Sequence, residues 1–156
     1  MEKRQTRVLI VDDSLTIRAM IAAVFEKDPQ LRVVGVASSA EEAEEMLHNM
    51  AVDVVTLDIK MPGMDGLEFL AKLRTWHDKP VIMLSSLSPR GAPERLEALL
   101  RGATACFNKA NAMKDAPRLI KMIKDAAHGK VKLCEEDMAA LAAHAAKDTG
   151  SLPAAA

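Results

Sequence analysis

Nothing in this sequence supplies a strong positive field. Its 156 residues hold 21 Lys and Arg against 22 Asp and Glu, a formal charge of −1, whereas nucleic-acid and membrane-surface partners call for a basic patch or stripe. Long apolar runs are missing as well. No stretch approaches the ~18 residues of a membrane span. The charged residues 1–7 are followed by only four strongly apolar residues before Asp12, short of the ~7–15 that a signal peptide needs. Cysteine is scarce: Cys106 and Cys134 form no metal-spaced set, so they read as small buried hydrophobes, reduced, in a cytoplasmic protein. The phosphate-binding patterns GxxxxGK[ST] and GxGxxG do not occur, nor does the GxSxG elbow of esterases.

What is present suits one soluble domain. Hydrophobic residues make up 49% and charged residues 28%, and a chain this long buries roughly 70% of its unfolded surface without disulfides or a structural metal. Five short β-rich runs, residues 7–11, 31–37, 52–57, 80–84 and 103–107, are mostly continuous apolar stretches, as strands covered on both faces read. Helical spacing fills the gaps. After Ser14, an N-cap, Ile17, Met20, Ile21, Val24 and Phe25 share a face until Asp28-Pro29 ends the helix. Ser39 and Glu42 predict a capping box ahead of Ala43, Met46, Leu47 and Met50. Leu67, Leu70 and Leu73 mark a third helix. Leu96, Leu99 and Leu100 mark a fourth, closed by Gly102; Leu119, Met122, Ile123 and Ala126 mark a fifth, closed by Gly129. The alternation predicts an α/β fold, a doubly wound five-stranded parallel sheet of flavodoxin-like order 2-1-3-4-5 with helices on both faces. Composition shifts only at residue 130. The tail holds a candidate sixth helix, 135–147, with Met138, Leu141, Ala142 and Ala145 on its apolar face. Residues 150–156 read as disordered.

Ligands of doubly wound sheets bind beyond the carboxyl ends of the strands. The polar residues that follow strands 1, 3, 4 and 5 are Asp12 and Asp13, Asp58, Ser85 and Ser86, and Lys109. Two unit charges ~4 Å apart repel by about 4 kcal/mol at an effective dielectric of 20, so clustered acids want a cation. An all-oxygen set suits Mg²⁺ or Mn²⁺ rather than zinc. A metal beside a carboxylate, a lysine and a hydroxyl is equipped for phosphoryl transfer: the carboxylate oxygen attacks phosphorus while the cations neutralise the equatorial oxygens. No histidine is placed as a base, and an ionised carboxylate needs none.

At these residues the sequence resembles the receiver domains of two-component response regulators. The segments VLIVDDS (8–14), LDIKMPGMDG (57–66), PVIMLSSLS (80–88) and GATACFNK (102–109) carry the resemblance, which spans roughly residues 7–128. The run MLSSLSPRGAPE (83–94) is most similar to the receiver half of chemotaxis methylesterases, with no counterpart of the methylesterase half. The resemblance implies that Asp58 accepts a phosphoryl group from a histidine kinase or histidine phosphotransfer protein. It implies that Asp12, Asp13, Asp58 and the backbone carbonyl of Lys60 hold Mg²⁺, that Ser85 is the switch hydroxyl, and that Lys109 binds the phosphoryl. Output would run to a protein partner through the face of the fourth helix, fifth strand and fifth helix. The expected division is a receiver over 5–128 and a tail over 129–156, docked on that output face or on a second subunit as a homodimer. Such a module catalyses only its own phosphorylation and dephosphorylation.

Three positions depart from the family pattern. Cys106 stands where an aromatic is usual, with Phe107 directed to the other face of the strand. Ala110 replaces the proline after the lysine, which predicts a trans bond there. Lys60 puts a cation two residues past the acceptor, either solvated or tuning phosphate lifetime. The alternatives are a pseudo-receiver that only binds partners, against which the intact acid, serine and lysine set argues, and an Asp-nucleophile phosphatase, which would carry a DxD pattern and a cap domain.

Overall fold

A computed structural model describes residues 4–85, 92–131 and 133–151. In chain order the elements are β1 (Thr6–Val11), α1 (Leu15–Glu26), β2 (Leu31–Ala37), α2 (Ala40–Asn49), β3 (Val54–Asp58), α3 (Gly66–Leu73), β4 (Val81–Ser85), α4 (Ala92–Leu100), β5 (Ala105–Asn108), α5 (Asn111–Lys114), α6 (Ala116–Ala127) and α7 (Glu135–Ser151). The five strands form one parallel sheet of order β2-β1-β3-β4-β5, as the alternation of strand and helix patterns predicts.

Alternate residues of the strands feed two apolar layers. Leu9, Val55, Leu57, Val81 and Met83 meet Ala43, Leu47, Phe69, Leu70, Leu73 and Ala98 of α2, α3 and α4 on one face. Val8, Ile10, Val54, Ile82 and Leu84 meet Ile21, Val24, Phe25, Leu119 and Ile123 of α1 and α6 on the other. Cys106 joins the first layer and Phe107 the second. The period-two side-chain alternation of a strand dictates that split.

The caps form largely as the sequence indicates. Ser14 accepts the Ile17 N–H and Ser39 the Glu42 N–H. Only half of the predicted capping box closes, because Glu42 turns to the hydroxyl of Ser38 at 2.8 Å and its N–H at 3.4 Å rather than to Ser39. Gly102 (φ 106°) and Gly129 (φ 70°) adopt the left-handed conformation that ends helices. In α4 the fully buried residue is Ala98, and Leu100 is exposed. The α5 turn was not foreseen: its four residues give too little periodicity to register as a helix. On the outer surface of α2 and α3, the Trp76 and His48 rings stack with centroids 4.1 Å apart.

The tail is helical to Ser151, further than its composition suggests, so residues 150 and 151 are not the disordered end expected of them; residues 152–156 lie outside the described residues. It packs against α4. The inner face differs from the expected one. Asp137 is buried and Ala140, Leu141 and His144 are half-buried, whereas Met138, Ala142 and Ala145 are exposed. An ion pair from Asp137 to Arg95 of α4 at 2.8 Å sets this rotation. No helix among the described residues is long and apolar enough to cross a membrane.

Candidate functional site

The register of the sheet assembles the site. Val11 pairs with Leu57, Asp58 with Leu84, and Ser85 with Asn108. Asp12, Asp58, Ser85 and Lys109 therefore end or follow four adjacent strands along one sheet edge. Oxygens of Asp12, Asp13 and Asp58 all lie within 4.8 Å of one another. The Lys109 ammonium bridges two of the carboxylates, 2.6 Å from Asp12 Oδ2 and 3.1 Å from Asp58 Oδ2. Asp12 and Asp58 are buried and Asp13 is exposed.

Second contacts fix these groups. The Ser14 N–H donates to Asp12 Oδ1 at 2.9 Å, and Arg18 reaches back from α1 to donate to the Asp12 carbonyl at 2.7 Å. The Lys60 N–H donates to Asp58 Oδ1 at 3.3 Å while the Lys60 side chain points to solvent. Burial, followed by the charge of Asp12, pushes the Asp58 carboxyl up to about 6, against the opposing pull of Lys109. Lys109 is pulled down by burial, but its hydrogen bonds and ion pairs with Asp12 and Asp58 outweigh this and raise it above the ordinary lysine value.

The donor set fits a hard divalent cation. All candidate ligands are oxygens, and one from each of Asp12, Asp13 and Asp58 lies within 4.8 Å of the others, close enough to share one ion. Three carboxylates around one ammonium leave negative charge that a further, oxygen-preferring cation would offset.

Of the sequence-predicted residues, Asp12, Asp13, Asp58 and Lys109 come together. Ser85 closes β4 beside them, its hydroxyl outside the described residues. The Lys109–Ala110 bond is trans, as the missing proline predicts. The segment 86–91 lies outside the described residues.

Sequence reasoning missed two supports of the site. Arg18 carries no local signal, because its partner is a backbone carbonyl six residues back. Gly66 ends the run LDIKMPGMDG, and its role there is steric. A Cβ there would stand 2.0 Å from the Asp58 carbonyl oxygen and 2.8 Å from Ile59 Cα, and the Gly66 N–H donates to the Ile59 carbonyl at 2.7 Å. The glycine lets the start of α3 lie directly on the backbone that carries Asp58. Asp65 then caps α3 by accepting the Glu68 N–H.

Comparison with known proteins gives the family. The family model described as the response regulator receiver domain matches residues 8–124. A protein-glutamate methylesterase/protein-glutamine glutaminase of Rhizobium etli is 48% identical over 111 residues, 71% of this chain and 32% of that protein. The chain spans about a third of the length of the curated relatives it matches. The crystal structure of the response regulator domain of Thermotoga maritima CheB superposes with a TM-score of 0.74 at 35% identity, covering 80% of this chain and 98% of that one. A chain from the complex of the P1 domain of CheA3 with CheY6 of R. sphaeroides is 32% identical, with a TM-score of 0.68 over 80% of this chain and 98% of its own. The chain thus belongs to the response regulator receiver family, a signalling domain related to the receiver half of the CheB methylesterases.

Proposed function

We propose that this receiver accepts a phosphoryl group on Asp58 in a Mg²⁺-dependent reaction and passes the event to a protein partner as a change of shape. The observation that carries the reading is Asp58 at the end of β3, with two more carboxylates within 4.8 Å and the Lys109 ammonium 3.1 Å away. In this reading residues 5–128 form the acceptor module and 129–156 a tail. The donor is a phosphohistidine on a kinase or phosphotransfer protein; a related receiver is found in complex with the P1 domain of CheA3. An Asp58 carboxylate oxygen forms the O–P bond as the P–N bond breaks, and the electron pair stays on the imidazole. Lys109 neutralises charge on the phosphoryl oxygens, and the Ser85 hydroxyl donates to one of them afterwards.

Asp12, Asp13, Asp58 and the Lys60 carbonyl would hold Mg²⁺, with Mn²⁺ as a substitute. When bound, the ion supplies charge neutralisation between the carboxylates and the incoming phosphoryl group. Asp58 needs no general base, and the site turns over no small substrate of its own.

The test is intact mass after incubation with acetyl phosphate and Mg²⁺. One stoichiometric phosphoryl label that disappears in Asp58→Asn and without divalent metal is the expected result. Label that persists in Asp58→Asn would overturn the assignment. Continuous turnover of a generic phosphate ester would indicate a phosphatase instead, and no label under any condition a pseudo-receiver.

A further inference from the structure

Away from the acceptor edge, the two sulfurs of the chain's cysteines meet around one arginine. Cys106 lies in β5, and Cys134 lies on the irregular stretch between α6 and α7. Both are free thiols, the first buried and the second half-buried. The Cys106 thiol donates to the Arg95 carbonyl at 3.8 Å. At the other end of the same residue, Arg95 Nη2 stands 3.8 Å from Cys134 Sγ. Both cysteines line one open groove of about 770 Å³. The sequence reading of each as a small buried hydrophobe holds for Cys106 alone.

The two thiols are not equivalent. Cys134 Sγ accepts the Asp137 N–H at 3.4 Å, which sets it at the N-terminus of α7, and it faces the Arg95 guanidinium. Asp137 Oδ2 accepts from the same guanidinium nitrogen at 2.8 Å and so fixes it beside the sulfur. A partly exposed sulfur that meets both a helix N-terminus and an arginine is in the surroundings typical of a nucleophilic cysteine. Cys106 is the opposite case. Burial, followed by the charge of Asp137, pushes its thiol up to about 12, so it is not the sulfur that meets an oxidant first. The charge of Cys134 also contributes to that rise, which places the two sulfurs near enough to sense each other.

We infer that Cys134 and Cys106 form a two-thiol oxidation site, in which hydrogen peroxide oxidises Cys134 and Cys106 resolves the product to an intramolecular disulfide. In the first step the Cys134 sulfur attacks one oxygen of the peroxide and the O–O bond breaks. The electron pair leaves on the other oxygen, which takes the thiol proton and departs as water, and Cys134 is left as the sulfenic acid. In the second step the Cys106 sulfur forms the S–S bond as the S–O bond breaks. The Cys106 proton leaves with the hydroxyl as a second water. Over both steps each sulfur gives up one electron and the peroxide takes two.

The fold leaves room for the bond to close. A disulfide needs Cα atoms about 4.4–6.8 Å apart. Cys106 is held in the sheet, so the approach falls to Cys134, which belongs to no helix or strand and follows the turn at Gly129, φ 70°. The groove gives a small oxidant a way to the half-buried sulfur. The bridge ties the start of α7 to β5 and closes residues 106–134, with α5 and α6 between them, into a ring. This chemistry is separate from that of Asp58 and does not rest on the acceptor reading.

The full chain, reduced and freed of reductant, is treated with hydrogen peroxide and followed by intact mass and by peptide mapping without reductant. The expected product is a monomer lighter by about 2 Da, with the peptides of Cys106 and Cys134 joined, and dithiothreitol restores the original mass. Dimedone present during oxidation is expected to label Cys134 and not Cys106. In Cys106→Ser the sulfenic acid has no resolving thiol, and dimedone labelling of Cys134 is expected to rise at least tenfold. Arg95→Gln is expected to slow oxidation of Cys134 at least tenfold. Should that chain fold poorly, the wild-type chain unfolded in urea carries the same comparison, and its bridge is expected to form at least tenfold more slowly than in the folded chain. A wild-type mass that does not fall, or a disulfide that forms only between two chains, overturns the site. Dimedone on Cys106 rather than Cys134 overturns the division of roles. Equal bridging rates in the folded and unfolded chains overturn the claim that the fold brings the two sulfurs together.

Discussion

Single atoms decide how Asp58 is presented. Gly66 has no φ that forces glycine; what forces it is the Asp58 carbonyl 2.0 Å from where a Cβ would sit. Gly66→Ala must push the α3 N-terminus off the β3 end, and overpacking against backbone cannot relax as it can against a flexible side chain. A loss of about 3 kcal/mol is expected, a drop in melting temperature of roughly 6–10 °C for a domain of this size, together with slower phosphorylation. A variant with wild-type melting would show that the contact is not tight. At the far end of the sheet, the hydrogen bond from Arg7 holds the Asp53 carboxyl below the usual carboxylate range, and Lys124 does the same for Asp28. A depressed carboxylate contributes stability that is complete above its unfolded value near ~3.9 and is lost as pH falls through the lower folded value. Asp53→Asn should therefore melt below wild type at pH 7, and the gap should close in acid; thermal melts at both pH values check the sign.

The elements themselves were readable because every strand but the edge strand β2 is largely buried on both faces and α1, α2, α3 and α6 each carry an apolar stripe. β2 begins and ends where its apolar run does. The ends of β3 and β4 were less legible, since Asp58 and Ser85 are polar yet still pair in the sheet. Sequence pattern treats a polar residue as the start of a loop; the ladder continues because the backbone does not register side-chain polarity. The α7 face was misread for a related reason. Apolar periodicity selected Met138, Leu141, Ala142 and Ala145, but one carboxylate aimed at Arg95 outweighs a few alanines, and it turns the helix so that Asp137, Ala140 and Leu141 face inward. Arg95 lies 42 residues away in sequence, so no local window contains the cause. Two substitutions separate the faces. Met138→Lys should leave amide exchange in α7 unchanged, and Leu141→Asp should raise it at least tenfold. The reverse order would restore the face that periodicity favours.

Across the whole molecule, the acid cluster sets function against stability. The carboxylates of Asp12, Asp13 and Asp58 share one edge with a single ammonium among them, leaving uncompensated like charge that a divalent cation would offset. Mg²⁺ should raise the melting temperature, because a cation that binds only the folded site stabilises it by mass action. Asp13→Asn should stabilise the metal-free chain by on the order of 1 kcal/mol while weakening the Mg²⁺ response and the acceptance of phosphate. A metal-free Asp13→Asn chain that melts lower than wild type would argue that the three carboxylates do not strain one another. The site was legible as a set of strand-end residues. What could not be read was how Lys109 shares itself between Asp12 and Asp58, which depends on the sheet register that sets it two residues beyond Phe107, the β5 residue level with Leu84 and Asp58.

The His48–Trp76 stack has a practical corollary for optical work. With one tryptophan and no tyrosine in the chain, essentially all intrinsic emission comes from a ring that follows the far end of α3, ten residues and roughly 15 Å of helical rise beyond Gly66. Its stacking partner is the His48 imidazole 4.1 Å away. Intrinsic fluorescence should therefore report the outer flank of α2 and α3 and stay nearly blind to events at Asp58. A flat trace on adding Mg²⁺ or a phosphodonor would be a property of the lamp's address, not of the chemistry.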